Sequence, residues 1–220
     1  MTKSIFNLSY PQLSIKDTTA TFPVHRIYCV GQNYAAHSLE MGGDPIRNTP
    51  FFFSKPADAA CQLDRLPWPT KTNNLHHEVE LVVALGQGGK TIFGYGVGVD
   101  LTRRDLQAEA KQAGRPWDTS KGFDFSAPIS QLMTTEQWRP EAHKSISLSV
   151  NGVLKQQATL AQLIWNIPEL LKELSTFYTL TEGDLIFTGT PAGVSKLSPG
   201  DTVHASIEGL PELIFNLDKL

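Results

Sequence analysis

In the stretch His76-His77-Glu78-Val79-Glu80-Leu81-Val82-Val83-Ala84-Leu85, the residues from Glu78 to Leu85 read as a β-strand carrying two carboxylates at its head. Side chains at i and i+2 of a strand share a face, so Glu78 and Glu80 project side by side. Two like charges in an apolar strand repel, and burying them unpaired is costly. Something positive should hold them there. With oxygen ligands and no thiolate nearby, the natural candidate is a hard divalent cation, Mg²⁺ or Mn²⁺. A solvated edge strand with two surface glutamates is the bland alternative, and the surrounding Val79, Leu81, Val82 and Val83 argue against it. His76 and His77 raise zinc as a second choice, but no third nitrogen or sulfur ligand stands at suitable spacing.

Working outward, Gly94-Tyr95-Gly96-Val97-Gly98-Val99-Asp100 forms the next strand and ends in a third carboxylate. Its alternate glycines leave one face nearly bare, so something can approach the backbone closely. Upstream, residues 26–31 read as a buried strand. Residues 33–41 read as a short helix with Asn33 as N-cap, ended by Gly42-Gly43-Asp44-Pro45. Phe51 to Pro56 is a further strand. Thr102 starts a helix, with Asp105 at capping-box spacing, and Gly114-Arg115-Pro116 stops it. Asn151-Gly152 between two alternating runs is a hairpin signal. Residues 160–178 are helical in period and broken at Pro168, with Leu170, Leu171, Leu174 and Phe177 as the apolar stripe. Strands follow at 184–191 and within 201–217. Residues 1–22 look like a leader segment that adds a strand or hairpin. Many short strands and few short helices place the chain in the α+β class, β-rich.

The 220 residues suit one domain with a real core. The net charge of −3 gives no reason to expect nucleic acid or an anionic membrane as partner. Two cysteines without ligand spacing suit reduced thiols in a cytoplasmic protein. Residues 1–7 lack the apolar run of a signal peptide, and no segment approaches the roughly 20 apolar residues of a membrane span.

Three further groups carry chemistry. His37 and Glu40 lie on one helix face, where a carboxylate orients an imidazole and makes it a better general base. The glycines beyond them suit a mobile lid, although an exposed ion pair has the same spacing. Arg103, Arg104, Gln107 and Lys121 surround Asp100, either as a clamp for an anionic substrate or as a solvated helix face. The Thr188-Gly189-Thr190-Pro191-Ala192-Gly193 loop lacks the phosphate-loop pattern. Its N–H groups, Gly189 among them, and its hydroxyls can bind a carboxylate or oxyanion, or simply make a turn. No G-x-S-x-G elbow and no catalytic cysteine context is present, which leaves activated water as the nucleophile of an enzyme.

These motifs, in order, resemble the fumarylacetoacetate hydrolase superfamily. They are residues 28–37 (Tyr28 to His37), Phe53-Ser54-Lys55-Pro56, His77 to Leu81, Asp100 to Gln107, and Phe187 to Val194. Within it, residues 50–59 and 114–118 are most similar to bacterial fumarylpyruvate hydrolases of the acylpyruvate hydrolase branch. The resemblance implies a mixed β-roll or sandwich, with residues 23–220 as one catalytic domain after the 1–22 leader. It implies a homodimer with one Mg²⁺ or Mn²⁺ per subunit, held by Glu78, Glu80 and Asp100. It casts His37 and Glu40 as the dyad of a lid helix, and Arg104, Gln107, Lys121 and Thr190 as substrate- and intermediate-binding residues. Ser195 departs from the pattern, where glycine is common, and bears on the loop shape alone.

The expected reaction is hydrolysis of a 2,4-dioxo acid to pyruvate and a carboxylic acid. His37, oriented by Glu40, deprotonates water, and the hydroxide attacks the C4 carbonyl. Lys121 and Gln107 face the developing oxyanion, and Arg104 and Thr190 the substrate carboxylate. Oxaloacetate decarboxylation and isomerisation of a 2-oxo acid are the rival activities on such a scaffold. A metal-stabilised binding protein is the non-enzymatic rival.

Overall fold

The computed structural model describes Ile5, residues 9–42 and residues 48–219. Its centre is a six-stranded sheet in the order Met133–Thr134, Ile92–Val99, Val79–Leu85, Leu185–Phe187, Ile27–Gly31, Phe51–Lys55. Within this sheet the neighbours Leu185–Phe187 and Ile27–Gly31 run parallel and the other pairs antiparallel. A five-stranded sheet, ordered Val153–Thr159, Ser145–Val150, Thr202–Ile207, Leu213–Leu217, Arg65–Leu66, packs across one face. The fold is β-rich α+β, as expected from the strand pattern, and takes the roll form that the family resemblance implies.

The acidic strand lies inside this sandwich rather than at an edge, and all seven residues of Val79–Leu85 are buried. Leu81, Val83 and Leu85 join Ile146, Leu148, Val203 and Phe215 in the core between the sheets. Val82 and Ala84 join Ile27, Cys29, Leu185 and Phe187 in a second core on the other face. Glu80 shares this second face, so it is desolvated by the strand that carries it. The antiparallel register sets Glu80 opposite Gly98 and Val79 opposite Val99. The Asp100 N–H then donates to the Glu78 carbonyl at 2.8 Å, which brings the third carboxylate beside the first two.

The bare glycine face is filled by the protein itself. A Cβ at Gly94 would stand 2.2 Å from the Met133 carbonyl oxygen, and one at Gly98 2.5 Å from Val82 Cγ2. The hairpin at Asn151-Gly152 has φ of 52° and 77°, the positive pair that a two-residue turn of this hand requires.

Several local expectations change. The first helix, α1 (Ala35–Glu40), has no side-chain cap. The Asn33 amide instead donates to the carbonyls of Trp165 and Thr188 and accepts from the Trp165 N–H, tying three segments together. Of its proposed stop signal, residues 43–45 lie outside the described residues. The helix after Asp100, α2 (Arg104–Gln112), begins later than Thr102, which pairs with His76 in a short strand. Asp105 is held away from a capping box by bonds from Thr72 Oγ1 and the Asn73 N–H. A short α3 (Asp118–Lys121) follows. Pro168 does not break a helix. It starts α4 (Ile167–Phe177), behind an Asn166–Glu169 capping box, because proline at the first turn forfeits no internal hydrogen bond. Ile167, Leu170 and Leu174 are its buried stripe, whereas Phe177 is 63% exposed.

Strands Gln12–Ser14 and Thr21–Pro23 form a hairpin whose Leu13 and Phe22 enter the second core. Among the described residues no helix is long and apolar enough to cross a membrane. Both cysteines are free and buried.

Candidate active site

One cleft at the end of the central sheet brings together the residues singled out in the sequence. Glu78, Glu80 and Asp100 form its floor, His37 its rim, and Arg104, Gln107, Lys121 and Thr190 its sides. Glu40 stands behind His37 and Gly189 behind Glu80.

The three floor carboxylates are buried, and one oxygen atom of each lies within 4.8 Å of the others. Protein cations offset part of this charge. Lys121 Nζ donates to Glu78 Oε2 at 2.7 Å, to Asp100 Oδ2 at 2.6 Å and to Thr102 Oγ1 at 2.7 Å, which uses all three of its protons. Arg104 donates to Glu78 Oε1 and, at 2.6 Å, to Gln107 Oε1. Lys55 is a participant the sequence reading passed over. Its Nζ donates to the carbonyls of Leu101 and Lys121 and lies 2.8 Å from Asp100 Oδ1.

The balance differs sharply between the two glutamates. Burial pushes the Glu78 carboxyl up, but Lys121 and Arg104 outweigh it and hold the group well below the usual carboxylate range. Glu80 goes the other way. Burial, then the charges of Asp100 and Glu78, lift it well above that range. Its one hydrogen bond among the described residues is from the Gly189 N–H, at 2.6 Å. Among the described residues the buried Asp100 Oδ1 has no hydrogen bond, although Lys55 Nζ lies 2.8 Å away. An uncompensated carboxylate, an orphaned carboxylate oxygen and a third oxygen donor beside them fit a hard divalent cation. Burial also draws the Lys121 ammonium down, but Asp100 and Glu78 carry it above its ordinary value.

At the rim, His37 Nδ1 is 3.1 Å from Glu40 Oε2, so Nδ1–H donates to the carboxylate. Glu40 is itself fixed, because its Oε1 accepts from the Gly193 N–H at 3.0 Å. The imidazole is buried, at 5% exposure, inside a helix only six residues long.

The two histidines before Glu78 turn to protein partners. Arg104 Nε donates to His76 Nδ1, and burial, then Arg104, brings His76 down to about 4. His77 belongs to a buried chain of bonds built on Gln156, a second residue the sequence reading passed over. The Gln156 carboxamide oxygen accepts from His77 Nδ1 at 2.9 Å and from the Val79 N–H at 3.1 Å. Its nitrogen donates to Thr190 Oγ1 and to the Pro191 carbonyl, both at 2.8 Å. The carbonyl fixes which end of the amide is the donor. The Ser195 hydroxyl completes the chain by donating to His77 Nε2 at 2.8 Å. Because Thr190 Oγ1 accepts from Gln156, its own proton is left for the cleft.

Fold and cleft define the class: a mixed β-roll carrying a carboxylate triad, its balancing cations and a buried histidine paired with a more exposed glutamate. Residues 26–217 match the family model described as fumarylacetoacetate (FAA) hydrolase C-terminal, and the chain belongs to that family. It is 41% identical over 199 residues to the oxaloacetate tautomerase YcgM of Escherichia coli (strain K12), covering 86% of this chain and 90% of the relative. It is 39% identical over 173 residues to the fumarylpyruvate hydrolase of Ralstonia sp, covering 74% and 90%. The crystal structure of fumarylpyruvate hydrolase from Pseudomonas aeruginosa in complex with Mn²⁺ and pyruvate superposes with a TM-score of 0.95. That match is at 43% identity and covers 99% of this chain and 100% of the other.

Proposed function

We propose that this enzyme hydrolyses the C3–C4 bond of a 2,4-dioxo acid, fumarylpyruvate, to pyruvate and fumarate. The observation that carries the reading is the buried His37, held through Nδ1 by a Glu40 that is itself anchored, at the rim of a carboxylate floor. The likeness to a fumarylpyruvate hydrolase that binds Mn²⁺ and pyruvate supports it. Glu78, Glu80 and Asp100 would hold Mg²⁺ or Mn²⁺, which when bound supplies Lewis-acid charge at the 2-oxo acid end.

The protein groups divide the remaining work. With Nδ1–H given to Glu40, His37 Nε2 is the ring nitrogen free to take a proton from water, and the Glu40 charge stabilises the imidazolium. Hydroxide adds to C4 and the C3–C4 bond breaks. C4 leaves as the carboxylic acid, and the electron pair stays on C3, which takes up a proton and becomes the pyruvate methyl. Gln107 accepts from Arg104 through its oxygen, so its amide N–H groups are the donors available to the oxyanion at C4. Thr190, its hydroxyl turned by Gln156, donates to a substrate oxygen. Arg104 retains N–H groups for a carboxylate. Lys121 spends its protons on the floor and acts there as counter-charge.

A second reading is favoured by the 41% identity to an oxaloacetate tautomerase. Enolisation needs His37 as a proton carrier and no attacking water. A substrate panel of fumarylpyruvate, acetylpyruvate and oxaloacetate, with Mg²⁺ or Mn²⁺ present, separates the two. Pyruvate release from fumarylpyruvate, stopped by a chelator, is the expected result. Keto–enol conversion of oxaloacetate with no pyruvate from either acylpyruvate would replace hydrolysis by tautomerisation. Turnover of none of the three would leave a metal-binding protein without this chemistry.

A further inference from the structure

The mechanism leaves the outer wall of the cleft without a role. Three aromatic rings form it. Trp117 meets Phe51 edge-on with centroids 5.3 Å apart, and Phe53 at 5.8 Å. All three line the cleft. Lys111 lines it as well, exposed at the mouth, with Nζ 5.1 Å from the Trp117 ring centroid. Among the described residues no carboxylate pairs with this ammonium.

The placement follows from helix geometry. Arg104, Gln107 and Lys111 stand at i, i+3 and i+7 of α2, which is one face. The stripe runs from the carboxylate floor to the mouth, about 10 Å at 1.5 Å per residue. A substrate whose 2-oxo acid end lies at the floor therefore extends its acyl chain along the aromatic wall. Its far end then reaches a cation that no carboxylate among the described residues pairs with.

We propose that Phe51, Phe53, Trp117 and Lys111 form an acyl subsite that selects a flat, unsaturated chain ending in a carboxylate. The rings cover the faces of the conjugated chain, and Lys111 pairs with the terminal carboxylate. The subsite rests on the hydrolase reading for the orientation of the substrate. It makes the dicarboxylic 2,4-dioxo acids the preferred class over those with a neutral acyl group.

The test compares Lys111→Met, which keeps the stem and loses the charge, with Lys111→Arg, which keeps the charge. The readout is the ratio of kcat/KM for fumarylpyruvate to that for acetylpyruvate. We expect Lys111→Met to lower this ratio about tenfold, the scale of one part-exposed charged contact, mainly through KM for fumarylpyruvate. Lys111→Arg should retain most of it. An unchanged ratio in Lys111→Met would overturn the subsite while leaving hydrolysis intact.

A second measurement needs no turnover. Calorimetric titration of the Mn²⁺-loaded protein compares fumarate with crotonate, the same flat chain with a methyl in place of the far carboxylate. Fumarate should bind more tightly, and Lys111→Met should close the gap. If neither acylpyruvate is hydrolysed yet this gap is seen and closes, the hydrolase reading fails and the subsite stands. Equal binding of the two acids by the unaltered protein would overturn the subsite.

Discussion

The floor and the rim of the cleft are built on opposite terms. The floor carries three carboxylates and two lysines on or beside sheet strands, all 4% exposed or less. Each lysine there is bonded through its ammonium to at least two partners. The rim carries His37 on an uncapped helix of six residues, and Lys111 at the exposed mouth. Buried charges must be paired where they stand, so floor positions bear on stability as well as on the proposed chemistry. Lys111, exposed at the mouth, is freer, and on the proposed reading substrate choice can be varied there at little cost to the fold.

The same substitution should therefore have opposite consequences in the two regions. Lys55→Met strands Asp100 beside Glu78 and Glu80 without one of its cations. Breaking a buried pair in this way costs about 3–5 kcal/mol, read as a shift in the urea midpoint. If the variant is as stable as the parent, Lys55 does not hold the floor together. Gln156→Met comes next. It leaves the Val79 N–H and His77 Nδ1 without an acceptor, at about 1–3 kcal/mol for each group left unsatisfied. Lys111→Met at the rim should fall within about 0.5 kcal/mol of the parent, as surface changes do. A large loss there would erase the distinction between the regions.

A pH effect distinguishes the floor in another way. The Glu80 carboxyl is raised above its ordinary value, by burial first and then by Asp100 and Glu78. The folded chain without bound metal thus holds a proton that the unfolded chain releases. Its stability should fall as pH climbs from the ordinary carboxylate value toward the raised one. Mn²⁺ held at Glu80, as proposed, would displace that proton, so its affinity should climb over the same interval. Thermal melts across pH, with and without Mn²⁺, check both slopes. Glu80→Gln should flatten the first and weaken the metal itself. Parallel metal-free pH profiles in the parent and this variant would show that Glu80 does not hold the proton, and unchanged Mn²⁺ affinity would remove it as a ligand.

The floor carboxylates were legible in the sequence because strand geometry makes i and i+2 neighbours and because Asp100 ends the adjoining strand. The Asn151-Gly152 hairpin was legible for an equally local reason. Lys55 and Gln156 were not. Gln156 meets His77 across 79 residues of sequence and sits in a hairpin strand that is mostly exposed. Periodicity has no term for such a partner. Lys55 did leave a trace, as one charge ending the aromatic run Phe51-Phe52-Phe53 opposite three carboxylates that needed cations. Asn33 departs from its local expectation for a related reason. Its local preference is to cap a helix, but three bonds to Trp165 and Thr188 outweigh one cap.

The most direct test of the account is His37→Ala, assayed for fumarylpyruvate hydrolysis and for bound Mn²⁺ in the same preparation. A positioned base contributes about 10²–10⁴-fold in rate, so hydrolysis should fall by that factor while Mn²⁺ remains at one per chain. Loss of Mn²⁺ together with activity, or activity that survives the substitution, would contradict a base at the rim acting over an independent carboxylate floor.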